Sequence, residues 1–536
     1  MNAVTDLVDR LSPSWPAAEQ TAAMRALAMT WWNQPSGLLI LNGAGHLRIG
    51  RGLESLGPAA LGTIATRAPY FRAAYLLVTR VARWKRSGRV DTAPIAGLPQ
   101  DDAPAVLATL LFQFLTTGRL TESPAKLVGD LRLPIDTVIH SAIALKNLGL
   151  MAEAERLEFL WGTIEQLMRN AEDVLVLSPM FLENIGHAIL TAGMIEGQRM
   201  GYFRPQRTAA KPETPHNPFL CGMLSRFFEP LPPTYRFGEI LNTAKLLVLP
   251  GGRRMEMMEL VSEAGRVWAE GGRPFLTLDE DVLERGWANL ARFGVKRGDR
   301  LVTLHVREQG YHSYGDRVSV NEAELNHIRN APIETYAAAV ERIVGNGGTV
   351  VRLGNPGMTE IGHRPGFIDY PFTDFRCDWM DVFLASQCHY NIGSSSGMSF
   401  VPILFGRSVL FTNYITLASM IDSPSVVTLF KPLRDRADRL VPFDEHARRF
   451  RYVHNDIELD FHGITHAYNT AEDIDEAVAL MERYVDPVTG LLTAPDEVFR
   501  AGREAFERSA VARRPNIPPG FWERHYGSMA DGGQAA

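Results

Sequence analysis

The sequence predicts an α/β protein with two Rossmann-like domains in tandem behind a mostly helical N-terminal domain. Three observations lead there. Up to residue 172, apolar residues recur at helical spacing. From residue 173 onward, short apolar runs alternate with helix-like stretches, the pattern of buried parallel strands with covering helices. That alternation occurs twice, over 173–298 and again over 299–490. A length of 536 residues fits three or four domains at about 150 residues each.

In the N-terminal region the helical spacing covers Tyr70–Trp84, Ala103–Thr116 and Pro134–Leu150. The piece Ala142–Glu155 is similar to the end of a tetratricopeptide hairpin, with small Ala142, Ala144, Ala152 and Ala154 around a turn at Gly149. Only one such unit is present, so an irregular helical domain is the preferred reading. The glycines of Gly37–Gly52 lack the spacing of a dinucleotide fingerprint and read as a loop.

The first alternation opens with a strand at Asp173–Pro179, then a loop passing into a helix over Glu183–Gly201. A second strand is predicted at Ala244–Gly252, with Pro205–Pro233 as a long surface connection. In the second alternation, strands are predicted at Arg300–Val306, Gly348–Gly354, Gly366–Tyr370, Cys388–Gly393 and Ser408–Tyr414. Helices fall at Ile333–Asn346, Trp379–Ser386, Gly397–Phe405 and Ala471–Val485, which makes a doubly wound unit. Residues 491–536 read as a C-terminal tail whose last ~10 residues are disordered.

A net charge of −6 with 22% charged residues argues against nucleic acid as the main partner, because a phosphate-tracking protein carries a basic excess. The cysteines, Cys221, Cys377 and Cys388, show neither metal-ligand spacing nor an even count, and read as inert thiols in a reducing compartment. Acidic Asp6 and Asp9 do not fit a secretory leader. The apolar stretch Ala103–Leu115 is short of the ~20 residues of a membrane span. A cytoplasmic protein with no transmembrane segment is expected, with membrane contact limited to a peripheral one at the inner face.

Candidate chemistry gathers where predicted strands end, the edge at which open α/β sheets bind ligands. His305, Arg307 and Glu308 close the strand LHVRE. An arginine there suits a diphosphate, because its guanidinium donates in a fork to two oxygens and stays charged; an ion pair with a nearby acid is the alternative. The turn Ser394-Ser395-Ser396-Gly397 follows another strand and re-enters a helix, so its N–H groups and hydroxyls can cradle an anion. Serine also caps helices generally. Arg352 and Asn355 end a third strand, where Asn355 can meet a base or ribose or simply make the NPG turn. At the helix start Asp378 reads as a cap, while Asp381 holds either a ligand group or the loop around Ser394. Glu183, Asn184, Gly186 and His187 follow the first strand of 173–298; Glu183 and His187 are candidate general bases, with a capping loop as the plainer reading. Asp279-Glu280-Asp281 reads as a helix N-terminus, so no catalytic metal and no cofactor are expected.

The ordered pieces LHVRE (304–308), IRNA (328–331) with Tyr336, VVRLGNPGM (350–358), IDY (368–370), WMDVFLASQC (379–388), NIGSSSG (391–397), NTAEDI (469–474) and NIGH (184–187) resemble a family of bacterial GT-B-type glycosyltransferases of unassigned specificity. The strand-end HxR with a later serine turn is also similar to the GDP-fucose-using fucosyltransferases. That likeness implies Arg307, Ser394, Ser395 and Ser396 as ligands of a donor diphosphate. It departs at Glu308-Gln309-Gly310, where those enzymes carry a second basic residue and an acid. The resemblance implies transfer from a nucleotide-sugar donor to a saccharide or protein acceptor. Two other readings stay open: a nucleotide-sugar epimerase, and a non-catalytic carbohydrate- or partner-binding protein.

Overall fold

A run that is apolar along its whole length needs cover on both faces, so the predicted strands between 300 and 414 have to lie inside a sheet. In a computed structural model of the chain they do. The structure describes residues 40–41, 47–49, 54–56, 69–90, 103–118, 137–138, 141–142, 145, 150, 152–157, 160, 174–176, 182, 185–201, 207–209, 215–228, 246–248, 254–256, 261–262, 264–266, 274–308, 327–451, 453, 459, 463–511 and 513–527. The chain falls into two compact units. One comprises Met1–Asp173, Glu239–Val248 and His454–Gly463; the other comprises Val174–Gly238, Leu249–Val453 and Ile464–Ala536.

In the first unit, strands β1 (Ile40–Leu41), β2 (Leu47–Ile49) and β3 (Glu54–Leu56) form a small antiparallel sheet. The loop expected over Gly37–Gly52 therefore needs correction: apolar pairs flank its glycines and pair with each other, Ile40 opposite Arg48 and Leu41 opposite Leu47. Helices α1 (Pro69–Ser87) and α2 (Ala103–Thr117) pack as a pair. Ala73, Leu77 and Val81 are buried on one, Leu107, Leu111 and Leu115 on the other. Arg80 reaches across to Thr109 Oγ1 (2.5 Å), and the Trp84 and Phe112 rings meet edge to face.

The second unit opens with β4 (Val174–Val176), paired in parallel with β5 (Arg207–Ala209). Between them lies helix α3 (Ala188–Arg199). The segment Pro205–Pro233 is not a bare connection, since it carries β5 and helix α4 (Pro218–Ser225). Pro218 stands at the helix start, where a missing N–H costs nothing, and Asn217 caps it by accepting from Leu220 N (2.8 Å). The strand expected at Ala244–Gly252 is present as Leu246–Val248 but belongs to the first unit. Among the described residues, 173–298 thus shows four short strands, β4, β5, Leu246–Val248 and Arg254–Glu256, in two-stranded sheets rather than a second large sheet. Helix α5 (Glu280–Ala291) follows the acidic triplet, as that triplet implies.

The main sheet consists of β6 (Leu301–His305), β7 (Thr349–Arg352), β8 (Phe367–Asp369), β9 (Tyr390–Gly393), β10 (Ser408–Tyr414) and β11 (Val426–Phe430). All neighbours run parallel in the order β8-β7-β6-β9-β10-β11. Counting from β6, that is 3-2-1-4-5-6, the order of a dinucleotide-binding sheet, with its reversal between β6 and β9. Helices α6 (Ala337–Gly345), α7 (Asp378–Gln387), the short α8 (Val401–Leu404) and α9 (Ala471–Tyr484) accompany the strands.

The described residues from 491 to Tyr526 include two packed helices. Helices α10 (Arg500–Arg508) and α11 (Pro519–Tyr526) bury Phe506, Phe521, Trp522 and Tyr526, with the Phe430 ring among them. Asn516 closes the exposed edge of β11: its carbonyl accepts from Thr428 N (2.9 Å), and its amide donates to the carbonyls of Ser423, Pro424 and Val426. The expected disordered end lies outside the described residues. No helix among the described residues is long and apolar enough to cross a membrane.

Candidate functional site

The strand order reverses between β6 and β9, the place where open α/β sheets take ligands at the carboxyl ends of their strands, and the strand ends there are tied by hydrogen bonds. Beneath them, Thr303 donates to Asn391 Oδ1 (2.9 Å) across a directly opposed pair, which pins the β6–β9 register. One step up, Ser394 N–H donates to His305 O (2.9 Å). One step further, Arg307 N–H donates to Ser394 Oγ (2.9 Å). Ser399 Oγ then donates to the Ser394 carbonyl (2.9 Å). The Ser394 hydroxyl is wholly buried and occupied as a strand-end lock. Ser395 and Gly397 are half-buried and Ser396 is buried, at the entry to the one-turn 3-10 helix Gly397–Phe400.

Two further groups lie at this edge. The Arg307 side chain is almost fully buried at the strand exit. His305, also buried, is held neutral: burial, then the charges of Arg352 and Arg307, push its imidazole down to about 3. It is therefore an uncharged wall at physiological pH.

The turn Ile185–His187 seats against the turn Gly397–Phe400. Contact is backbone to backbone: a Cβ on Gly186 would lie 2.8 Å from Gly397 Cα, and one on Gly397 would lie 2.7 Å from Gly186 N. Glycine is required at both positions by this approach. Gly186 and half-buried His187, candidates from the first alternation, thereby join the serine turn of the second. Glu183 and Asn184 lie outside the described residues.

Arg352, expected at the ligand edge, is enclosed by carboxylates. Its side chain is 0% exposed and donates to Asp369 Oδ1 (2.9 Å), Glu308 Oε1 (2.5 Å) and the Thr359 carbonyl (2.7 Å). The same carboxylates accept from the backbone: Asp369 from Ile361 and Gly362, Glu308 from Thr359. Arg352 is thus a buried hub that shapes the β7–β8 connection. Asn355 Oδ1 accepts from Gly357 N (2.9 Å), the turn chemistry of its NPG sequence. Asp381, one turn into α7, lies against the Tyr370 hydroxyl; burial pushes its carboxyl up to about 7 against the pull of that hydroxyl and Arg376.

Sequence reasoning passed over several residues at this edge. Arg329 donates from Nε to the Ser395 carbonyl (2.8 Å). Lys431, directly after β11 and fully buried, donates to the carbonyls of Ile328 (2.7 Å) and Asn330 (2.9 Å). Asn413, at φ +50° where β10 is irregular, exchanges hydrogen bonds with Asn469 and donates to the Tyr336 hydroxyl. A polar residue directly after an apolar run, as in VVTLFK and LFTNY, is the signal that could have found them.

No family model and no curated protein matches the chain. A solved structure does: "The crystal structure of the glycosyl transferase family 9 from Veillonella parvula DSM 2008", at 12% identity and a TM-score of 0.28, covering 48% of this chain and 85% of that one. So low a score carries no argument, and the functional reading rests on this edge of the sheet. Among the described residues no cluster of three or more His, Cys, Asp or Glu is placed to hold a metal ion.

Proposed function

We propose that the protein is a glycosyltransferase that moves a sugar from a nucleotide-sugar donor to a saccharide or protein acceptor without a resident metal. What supports this above all is the coupling of Arg307 to the serine turn at the strand reversal, where the Arg307 N–H and Ser394 Oγ join β6 to β9. A permanent cation and a turn of N–H groups at a reversal suit a diphosphate. On this reading the acceptor hydroxyl attacks the anomeric carbon, and the bond from that carbon to the diphosphate oxygen breaks. The nucleoside diphosphate leaves with the electron pair. Arg307 stabilises the charge that develops on it, as a fixed donor. The hydroxyl proton passes to a base, for which His187 and Glu183 are the candidates. The 173–298 stretch is then the acceptor side of a GT-B arrangement.

The test is thermal unfolding with a panel of nucleoside diphosphates and nucleotide-sugars, on the wild-type protein and on Arg307→Ala. A ligand at 100 times its Kd stabilises by about 2.7 kcal/mol. The expected outcome is a shift with one nucleotide that Arg307→Ala abolishes, together with acceptor-dependent release of that nucleotide. Sugar-nucleotide conversion that needs no acceptor would instead mark an epimerase. Binding without turnover would mark a binding protein, and no shift with any nucleotide sinks the donor site.

A further inference from the structure

Paired strands keep one register unless a residue is added, and β10 adds one. Phe411 stands opposite Thr428 of β11, yet Tyr414 stands opposite Phe430, so Thr412 and Asn413 together oppose Leu429. This is a β-bulge, and Asn413 holds the left-handed backbone within it, at φ +50°. The added residue shifts the alternation of side chains. Phe411 and Tyr414 are three apart, which in an unbroken strand puts them on opposite faces; here their rings meet, with centroids 5.3 Å apart. The bulge lies one step beyond the pairing of Phe411 with Gly393, the level at which β9 passes into the serine turn.

Four side chains that are at most 1% exposed meet at the bulge: Tyr336, Thr412, Asn413 and Asn469. Their bonds run in one direction. Asn413 Nδ2 donates to the Tyr336 hydroxyl (3.1 Å). The Tyr336 hydroxyl lies 2.6 Å from Thr412 Oγ1, which donates in turn to the Gly393 carbonyl (3.4 Å). Because Thr412 spends its proton on Gly393, the Tyr336 hydroxyl is the donor in the middle bond. Asn413 is gripped from behind by Asn469: each backbone N–H donates to the other's Oδ1, and Asn469 Nδ2 donates to the Phe430 carbonyl (3.0 Å). A left-handed asparagine persists where its surroundings over-determine it, and strain of this kind gathers at binding sites. A second link is made by rings. Phe400 ends the 3-10 turn Gly397–Phe400 and packs on Phe411, centroids 4.8 Å apart. The bulge region thus reaches both ends of the serine turn, Gly393 before it and Phe400 after it.

We propose that the Thr412–Asn413 bulge presets the serine turn for its anionic ligand, with Asn413, Tyr336 and Thr412 as positioning residues. The proposal rests on the donor-site reading above and deepens it by assigning what holds the turn before the ligand arrives. None of the three touches the ligand. They act through the Gly393 carbonyl and the Phe400 ring, so that the turn need not order itself on binding.

The probes are inorganic pyrophosphate, GDP and UDP, by titration calorimetry on the full chain, with urea unfolding of the unliganded protein alongside. Tyr336→Phe breaks the chain of bonds in its middle. Tyr390→Phe is its control: Tyr390 is equally buried, and its hydroxyl donates to Glu482 Oε1 (2.7 Å) at the opposite end of β9. Tyr336→Phe should weaken binding about threefold to tenfold, the worth of one neutral hydrogen bond. Tyr390→Phe should unfold at lower urea as well, yet bind with wild-type affinity. Thr412→Val should match Tyr336→Phe, and Thr412→Ser, which keeps the hydroxyl, should bind as wild type does. Asn413→Gly and Asn413→Ala should both weaken binding, with the glycine variant unfolding at higher urea because it takes a positive φ freely. If Tyr390→Phe weakens binding as much as Tyr336→Phe, the effect is a general loss of stability and the proposal is overturned. If Arg307→Ala loses pyrophosphate while Tyr336→Phe and Thr412→Val keep it, the donor-site reading stands and this proposal fails. If the wild-type protein binds neither pyrophosphate nor either nucleotide, both fall together. Should the Asn413 variants not fold, the Tyr336 and Thr412 variants decide.

Discussion

Arg307 and Arg352 look alike in the sequence, each at the end of an apolar run, LHVRE and VVRLG, on neighbouring strands of one sheet. Their surroundings are opposite. Arg352 is the last residue of β7 and points into a fully buried pocket, where Asp369 from β8 and Glu308 from beyond β6 take its guanidinium. Arg307 lies two residues past β6, and its N–H donates to the serine turn that follows β9. Position at the ligand edge therefore does not make an arginine a ligand. What decides is which side chains the flanking strands bring to the same level: around Arg352 they bring two carboxylates that make it a hub; on the proposed reading, the serine turn at the reversal binds an anion.

The largest effect that tests this contrast is Arg352→Met. It strands the buried Asp369 and the partly exposed Glu308, and removing one partner of a buried pair costs about 3–5 kcal/mol. Urea denaturation should show that loss, with the ligand-induced stabilisation still present. Arg307→Ala should cost the unliganded protein less than Arg352→Met does, while abolishing the nucleotide-dependent shift. If Arg307→Ala proves the more destabilising of the two in the absence of ligand, the contrast is wrong.

Next is the glycine contact that brings residues 185–187 to the serine turn. Gly397→Ala puts a methyl against Gly186 backbone, an overpacking that costs about 1–3 kcal/mol, and should weaken nucleotide binding. Gly186→Ala should match it. Because the two share one contact, the double variant should fall well short of the sum in both unfolding free energy and affinity. Full additivity would mean the turns do not touch.

Away from the ligand edge, Asp473 clamps the chain end. It accepts from Thr470 N, Arg524 Nε and His525 Nε2, joining the start of α9 to α11. Burial works to raise its carboxyl, and the His525, Thr470 and Arg524 bonds outweigh that and hold it at about 2. A depressed carboxylate stabilises the fold above its unfolded value of about 3.9 and loses that contribution as the pH falls to the folded value. The melting-temperature advantage of wild type over Asp473→Asn should therefore be full at pH 7 and vanish between about pH 4 and pH 2. An advantage that persists at pH 2 would mean the carboxylate charge is not what clamps α11.

The smallest effect is Asn355→Ala. It removes one turn bond to Gly357, worth about 0.5–1.5 kcal/mol, and should leave nucleotide affinity unchanged. A tenfold loss of affinity would return Asn355 to the ligand site.

Much of the main sheet was legible because each of its strands is a local signal. Runs such as Leu301–His305 and Ser408–Tyr414 are buried along their whole length, and burial on both faces leaves an unbroken apolar record. The sixth strand, Val426–Phe430, was missed although it reads VVTLF, because its partner on the outer side is Asn516, about ninety residues on. The helix Pro218–Ser225 was hidden by prolines that mark its start rather than a loop.

By itself the sequence determined the α/β class, the strands of the main sheet that end in polar groups, and the serine turn, since each depends on periodicity and turn chemistry within a few residues. Only the tertiary structure decided the strand order 3-2-1-4-5-6, and with it which strand ends meet. Arg307 and Ser394 are 87 residues apart, and Arg329 and Lys431 enter the same edge from other loops. Local pattern records whether a residue is buried, not against what; the carboxylates that make Arg352 a hub come from neighbours that only strand order supplies.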